Sequence, residues 1–244
     1  MIVMSIAGVD PSGGAGVFAD LKTFQAIGVY GTGVVTALTA QNPYKFFSTM
    51  PVNETYIEEQ IDSVMDSYEV EFIKTGMLYS PEIIKMVSKK IKEYGLKAVV
   101  DPVMVATSGG DLTKEDLANA MNRYLLPQCI LTTPNISEAE KLTDFEINTE
   151  KDAINASKKI KCDNIITGGH LDAINTINID DEITTVKQEL IETDNLHGTG
   201  CNLSSAIVAY LAKNNDLKTS VLKSLDYVYE GIKNGNYGTL IAKI

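Results

Sequence analysis

Apolar stretches of strand length alternate along the chain with segments whose apolar positions recur every three or four residues, the pattern of βαβ units built on a parallel sheet. Residues 2–9 form a near-continuous apolar run, after which Gly13, Gly14 and Gly16 lead into a helical period carried by Val17, Leu21 and Phe24. A strand is predicted over 31–40. A helix follows over 53–67, with Asn53 as its cap and Ile57, Ile61, Val64 and Met65 inward, and then a strand over 70–78. Pro81 opens the next helix, with Ile83, Ile84, Val87 and Ile91 on one face and Lys85, Lys89, Lys90 and Glu93 on the wet one. A buried strand over 97–104 ends in Asp101-Pro102-Val103-Met104, and a helix is predicted from about 114 to 125. A strand over 129–133, short helices after 135 and 149, and a strand over 164–167 continue the alternation. The last third changes character: 175–190 reads as two antiparallel strands turning at Asp180-Asp181, and helices over about 199–212 and 217–233 close the chain. No linker, composition shift or repeat divides the pattern, so residues 1–244 are read as one domain of α/β class.

Composition narrows the function. Among 244 residues, 21 Lys+Arg stand against 32 Asp+Glu, a net charge of −11 that repels nucleic-acid phosphates unless a local basic patch overcomes it. No such run is present, and the lysines of 89–92 read as a solvated helix face. No apolar run approaches the roughly 20 residues needed to span a bilayer, and the opening passes directly into a structured pattern, so a cytoplasmic location is expected. Three scattered cysteines (Cys129, Cys162, Cys201) make no disulfide framework, and with only His170 and His197 there is no zinc spacing.

In an open parallel sheet, ligands bind beyond the carboxyl ends of the strands. Polar and glycine-rich residues fall there repeatedly: Gly8-Val9-Asp10, Gln41-Asn42, Gly76-Met77, Asp101-Pro102, Asn135 to Glu138, and Gly168-Gly169. Each alone is equally a conformational turn; their joint placement carries the signal. Gly14-Ala15-Gly16-Val17-Phe18-Ala19 fits the dinucleotide fingerprint, but the acid expected about 20 residues on is missing, and no Walker loop occurs.

The sharpest segment is His197-Gly198-Thr199-Gly200-Cys201 at the start of a helix whose inward face is Leu203, Ala206, Ile207, Tyr210 and Leu211. Glycines let successive amides converge on a phosphate, and the helix N-terminus favours negative charge there. The same field is expected to lower the Cys201 thiol and make it a proton acceptor. The competing reading is a plain glycine turn with Cys201 as an inert packing group.

Taken together, Ala7 to Gly16, Ala19-Asp20-Leu21-Lys22-Thr23-Phe24, Ala37 to Asn42, Lys74-Thr75-Gly76-Met77-Leu78, Asp101 to Ala106, Thr133-Pro134-Asn135, Gly168-Gly169-His170 and His197 to Cys201 resemble the hydroxymethylpyrimidine phosphate kinases of the ribokinase-like superfamily. The resemblance runs from residue 4 to about 212. It implies a three-layer αβα fold with a mainly parallel central sheet and a few antiparallel strands late in the chain. It also implies ATP and Mg²⁺, an aminopyrimidine alcohol or its monophosphate as substrate, and a homodimer as one known assembly.

By the same resemblance, Gly8, Asp10, Gln41, Met77 and Val103 would hold the ring; turn capping and core filling are the alternatives for Asp10, Gln41 and Met77. Asp101 and Glu138 would face Mg²⁺, while Asn135, Thr167, Gly168 and Gly169 would lie on the nucleotide side. Asn135 and Glu138 also read as a helix cap. Gly198, Thr199, Gly200 and Cys201 would receive the transferred phosphoryl group. Thr107 to Gly110 would be a loop able to close over substrate, or a solvated connection. Two positions depart from the family pattern: Thr167 stands where a lysine is usual, and Asn202 where a threonine is. Pyridoxal kinase and a catalytically weak pyrimidine-binding homologue are the rival readings. His170 and His197 are expected to orient loops rather than to catalyse.

Overall fold

The computed structural model describes residues 1–104, 117–169 and 171–241. Nine strands form one sheet in the order β3-β2-β1-β4-β5-β6-β7-β8-β9. They are β1 (Ile2–Val9), β2 (Tyr30–Asn42), β3 (Lys45–Pro51), β4 (Val70–Thr75), β5 (Lys97–Val100), β6 (Cys129–Thr132), β7 (Asn164–Ile166), β8 (Ile174–Ile179) and β9 (Glu182–Lys187). The run from β2 through β1, β4, β5 and β6 to β7 is parallel. Strands β3, β8 and β9 pair antiparallel at the two flanks. The chain leaves β1 toward β2 and returns to the other side of β1 as β4, so the order reverses between β1 and β4. That reversal opens a crevice at the strand carboxyl ends.

Alternation within the strands fixes the layers. Val3, Val99, Leu131 and Ile165 pack with Phe24 of α1 (Gly16–Ile27), Leu203 and Ile207 of α7 (Thr199–Ala212), and Val221 of α8 (Leu217–Lys233). Met4, Ile73, Ala98, Val100 and Ile166 face the other way, onto α2 (Glu54–Ser67), α3 (Pro81–Tyr94), α4 (Leu117–Ala120), α5 (Ile136–Thr143) and α6 (Glu150–Ser157). The result is the three-layer αβα architecture that the sequence resemblance implies.

Caps set the helix boundaries where the sequence places them. Asn53 accepts from the Thr55 amide at 2.9 Å, and Ser80 caps α3 with Pro81 in its first turn. The β8–β9 hairpin turns at Asp180 and Asp181, both with positive φ (52° and 61°), the backbone of a two-residue turn that suits the right-handed twist of its strands.

Four details differ from the sequence expectations. An antiparallel strand, β3, also lies early in the chain; the Asn42 side chain accepts from the Tyr44 and Lys45 amides (3.0 and 2.9 Å) and folds β2 back on itself. Strands β4 and β5 stop at Thr75 and Val100, three and four residues short of the predicted ends, although the Gly76 and Asp101 amides still donate to Ile6 and Thr75 at 2.9 Å. The helix predicted to about 125 is helical over Leu117–Ala120, continues as a π turn over Met121–Leu125, and its first residues lie outside those described. Lys90 is not on a wet face: it is 5% exposed and paired with Asp62 (2.8 Å), Glu58 (3.2 Å) and Glu93 (3.4 Å), so three acids compensate its burial between α2 and α3.

Candidate active site

Two glycine turns meet above the β1 end of the sheet. After β1, Asp10 folds the chain by accepting from the Ser12 amide (2.8 Å), the Ser12 hydroxyl (2.8 Å) and the Ala15 amide (3.0 Å). The His197 ring lies 2.6 Å from the same carboxylate through Nε2, which ties this turn to the one before α7. These bonds outweigh the cost of burial and hold the Asp10 carboxyl below its ordinary value. Asp10 is only 1% exposed, and both its oxygens are engaged within the chain.

Gly198 lies at φ +81°, and a Cβ there would sit 1.7 Å from the Gly14 carbonyl oxygen, so only glycine allows the two turns to touch.

At the head of α7 the Thr199 amide donates to the Leu196 carbonyl (3.3 Å), and the Asn202 amide donates to the Gly198 carbonyl (2.9 Å). The Asn202 side chain donates to that same carbonyl (2.8 Å) and accepts from the Thr23 hydroxyl (2.7 Å), so this departure from the family pattern braces the turn. Between them, the amides of Gly200 and Cys201 have no acceptor among the described residues, and Gly200 is exposed. A cradle of two first-turn amides is therefore open, narrower than the Gly198–Cys201 segment as a whole. The Asp101 carboxylate borders it: its two oxygens lie 3.8 and 3.9 Å from the position a Cβ on Gly200 would take.

Cys201 corrects one sequence expectation. Burial, together with Asp101 and Asp20, pushes the thiol up to about 12, although Lys74 and the Gly16 amide act to lower it. The field of one helix end is the weaker influence once the sulfur is out of water and faces two acids. Its S–H donates to Asp101.

Beneath the thiol is a polar network that the sequence reading did not assign. Lys74, on β4, is fully buried and contacts both oxygens of Asp20 on α1 at 3.0 Å, with Asp101 at 3.8 Å. The Ser5 and Ser205 hydroxyls complete the shell of Asp20 at 2.5 and 2.7 Å. The acids overcome the burial penalty and raise the Lys74 ammonium above its ordinary value. The signal was present in the sequence as a lysine inside the strand run Val70–Thr75, where a cation persists only when paired.

Asp101 and Glu138 form the second charged feature. Glu138 accepts from the Asn135 amide (2.9 Å) while Asn135 accepts from the Glu138 amide (3.0 Å), a reciprocal capping box at the start of α5. Burial first, and the Asp101 charge second, push the Glu138 carboxyl up to about 8. Burial likewise raises Asp101, partly offset by Lys74. Two buried carboxylates, the Asp101 charge raising Glu138, are a fitting partial shell for Mg²⁺, which takes one or two carboxylates and fills its sphere with water and phosphate oxygens. Among the described residues no group of three or more His, Cys, Asp or Glu is gathered to hold a metal unaided.

The remaining candidates fall on either side. Met77 packs with Ala37 in a small apolar cluster bordered by Phe46, Tyr79 and Val103, separate from both main cores. A Cβ on Gly8 would meet the Met77 methyl at 2.4 Å, so Gly8, Met77 and Val103 are brought together. Gln41 lies further along β2, paired with Phe46 of that cluster. On the other side Asn135 bridges Thr167, whose amide donates to the Pro134 carbonyl at 2.9 Å. Gly168 runs so close to Ile174 that a Cβ would lie 1.7 Å from its carbonyl oxygen, whereas Gly169 is exposed with open space beside it. Thr107 to Gly110 and His170 lie outside the described residues.

The nine-stranded αβα fold, with its crevice at the switch point, is that of the ribokinase-like small-molecule kinases. The phosphomethylpyrimidine kinase family profile matches residues 10–241, and the chain belongs to that family. It is a phosphotransferase, a pyrimidine kinase of thiamine biosynthesis. A hydroxymethylpyrimidine/phosphomethylpyrimidine kinase of Rhizobium meliloti is 39% identical over 95% of this chain and 90% of its own. Among solved structures, the phosphomethylpyrimidine kinase of Clostridium difficile 630 superposes with a TM-score of 0.84 at 37% identity, covering 95% of this chain and 99% of its own. An ADP complex of Bacillus subtilis pyridoxal kinase superposes with a TM-score of 0.91 at 34% identity, covering 99% and 96%.

Proposed function

We propose that the chain transfers the γ-phosphoryl group of ATP to 4-amino-5-hydroxymethyl-2-methylpyrimidine and to its monophosphate. The observation that carries this reading is the meeting of the open Gly200 and Cys201 amides with the Asp101 carboxylate at the head of α7. Gly8, Met77 and Val103 supply an apolar floor for a flat ring, and Gln41 offers both an amide donor and an acceptor for its nitrogens. Asp10 serves that pocket by shaping the turn. Asn135, Thr167, Gly168 and Gly169 form the nucleotide side, with Gly169 leaving backbone open to phosphate.

Mg²⁺ at Asp101 and Glu138 would neutralise phosphate charge. The cradle amides hold the migrating group in line, and Cys201 stands beside it as a relay: its sulfur takes the alcohol proton while its own S–H proton passes to the Asp101 carboxylate. A thiol held near 12 is protonated at neutral pH, so the two proton movements are coupled, and they come late, since the alcohol becomes acidic only as its oxygen gains the phosphoryl group. Buried Lys74 keeps the Asp101 and Cys201 region from becoming an unrelieved negative cluster. The reaction is assigned to the cytoplasm, and no helix among the described residues is long and apolar enough to cross a membrane.

A second reading, pyridoxal kinase, is favoured by the 0.91 superposition on the Bacillus subtilis enzyme. The kcat/KM for the pyrimidine alcohol and for pyridoxal, measured side by side, separates the two: the account expects the pyrimidine to be preferred, and a large preference for pyridoxal overturns it.

A further inference from the structure

Cys129 and Cys162 lie 33 residues apart in sequence, yet the fold places their sulfurs 3.2 Å from each other. Cys129 opens β6, and Cys162 lies just before β7, the neighbouring parallel strand, so the pair sits at the amino ends of the strands. That is the end of the sheet opposite the phosphoryl-transfer site. Both residues are free thiols and partly exposed. They line a cleft of about 580 Å³ whose walls include Pro127, Leu217, Lys97 and Lys161. A cleft of that volume admits a small ligand; Lys161 offers it a cation, while Lys97 is already paired with Glu71 (2.6 Å) and Asp163 adds an acid to the wall.

We propose that Cys129 and Cys162 form a redox-active dithiol that anionic low-molecular-weight disulfides of the glutathione type oxidise to a disulfide clamp between β6 and the connection into β7. The sulfurs need to close from 3.2 Å to roughly 2.05 Å, a movement within reach of side-chain rotation. Direction follows from the hydrogen bonds. The Cys129 S–H donates toward Cys162 and is also 3.2 Å from the Leu126 carbonyl, so Cys162 holds the available electron pair. Cys162 gives its proton to water and, as thiolate, attacks one sulfur of the disulfide, breaking its S–S bond to form a mixed disulfide and release one small thiolate, which takes up a proton. Cys129 then loses its proton to water and attacks the Cys162 sulfur, forming the protein disulfide and releasing the second. Two protein thiols are oxidised and one small disulfide is reduced to two thiols. Cys129, its thiol held well above the ordinary value by Cys162 and by burial, is the poorer first nucleophile of the two, which leaves it the second step. Cys201 is out of reach at the other end of the sheet and takes no part.

The test is incubation of the reduced full-length chain with glutathione disulfide, followed by alkylation and peptide mass mapping. The expected product has lost two hydrogens, carries a single Cys129–Cys162 link and leaves Cys201 alkylated. It melts at a higher temperature than the reduced chain, a gain that dithiothreitol reverses. Cys129→Ser should accumulate a glutathione adduct on Cys162, whereas Cys162→Ser should form adduct on Cys129 at least tenfold more slowly. Both variants should keep wild-type kinase activity, which verifies their folding. The proposal is overturned if all three cysteines stay alkylatable, if the first adduct falls on Cys201, if the reaction stops at a mixed disulfide in the wild-type chain, or if oxidation leaves the melting temperature unchanged or lower.

Discussion

Single residues decide how the chemistry is shared out. The Cys201 sulfur is at the head of α7, hydrogen-bonded to Asp101 and surrounded by charges of both signs. Cys201→Ala should therefore lower kcat by about 10²-fold or more while the pyrimidine KM changes little. Steady-state kinetics check this, and an alanine variant with wild-type turnover would reduce the thiol to packing. Thr167 is the other informative position. Its amide is tied to Pro134 and its neighbour across the bridge is Asn135, so a lysine there would reach toward the nucleotide phosphates without breaking a backbone contact. Thr167→Lys should raise turnover or tighten ATP. Unchanged values of both would show that another group already supplies the charge.

At the scale of elements, Glu138 of the α5 capping box would also be half of the proposed cation site, and its burial has a pH signature. Glu138 is raised from its ordinary 4.5 to about 8, so the folded chain binds a proton more tightly than the unfolded one. Stability from this group is thus fully present below pH 4.5 and is progressively lost as pH rises through 8. Glu138→Gln keeps an oxygen that can accept from the Asn135 amide and removes the charge. The melting-temperature gap, variant minus wild type, should widen from pH 6 to pH 8.5; a gap independent of pH contradicts the raised value. Elements were also where the sequence was most readable. Periodicity and caps located α2, α3, α7 and α8, because Asn53, Ser80 and the glycine turn before Thr199 are local signals. Strand β3 was not seen, since its pairing rests on the Asn42 turn and on partly exposed residues without strong alternation. Lys90, Lys74 and Asp20 escaped for a different reason: their burial depends on partners 32, 54 and 185 residues away, such as Glu58, Asp20 and Ser205, and no window of sequence shows these. Cys201 lies in the first turn of α7, where its glycine turn signals a helix start, but the direction of its thiol's shift depends on Asp20 and Asp101 arriving from other elements.

At the scale of the molecule, the sheet order does the positioning. Its reversal between β1 and β4 brings the Gly8 and Met77 ends together. The parallel run onward through β5, β6 and β7 lays Asp101, Asn135 and Thr167 in a line beside them. In the proposed reading the ring side, the cradle and the nucleotide side would then lie along one edge of the sheet, as in-line transfer requires. The most direct measurement is ADP release from ATP in the presence of the pyrimidine monophosphate, with and without Mg²⁺. The account predicts release that depends on both the pyrimidine and the cation, with the diphosphate as product. Binding of the pyrimidine phosphate without any ADP release in the presence of Mg²⁺ would contradict it.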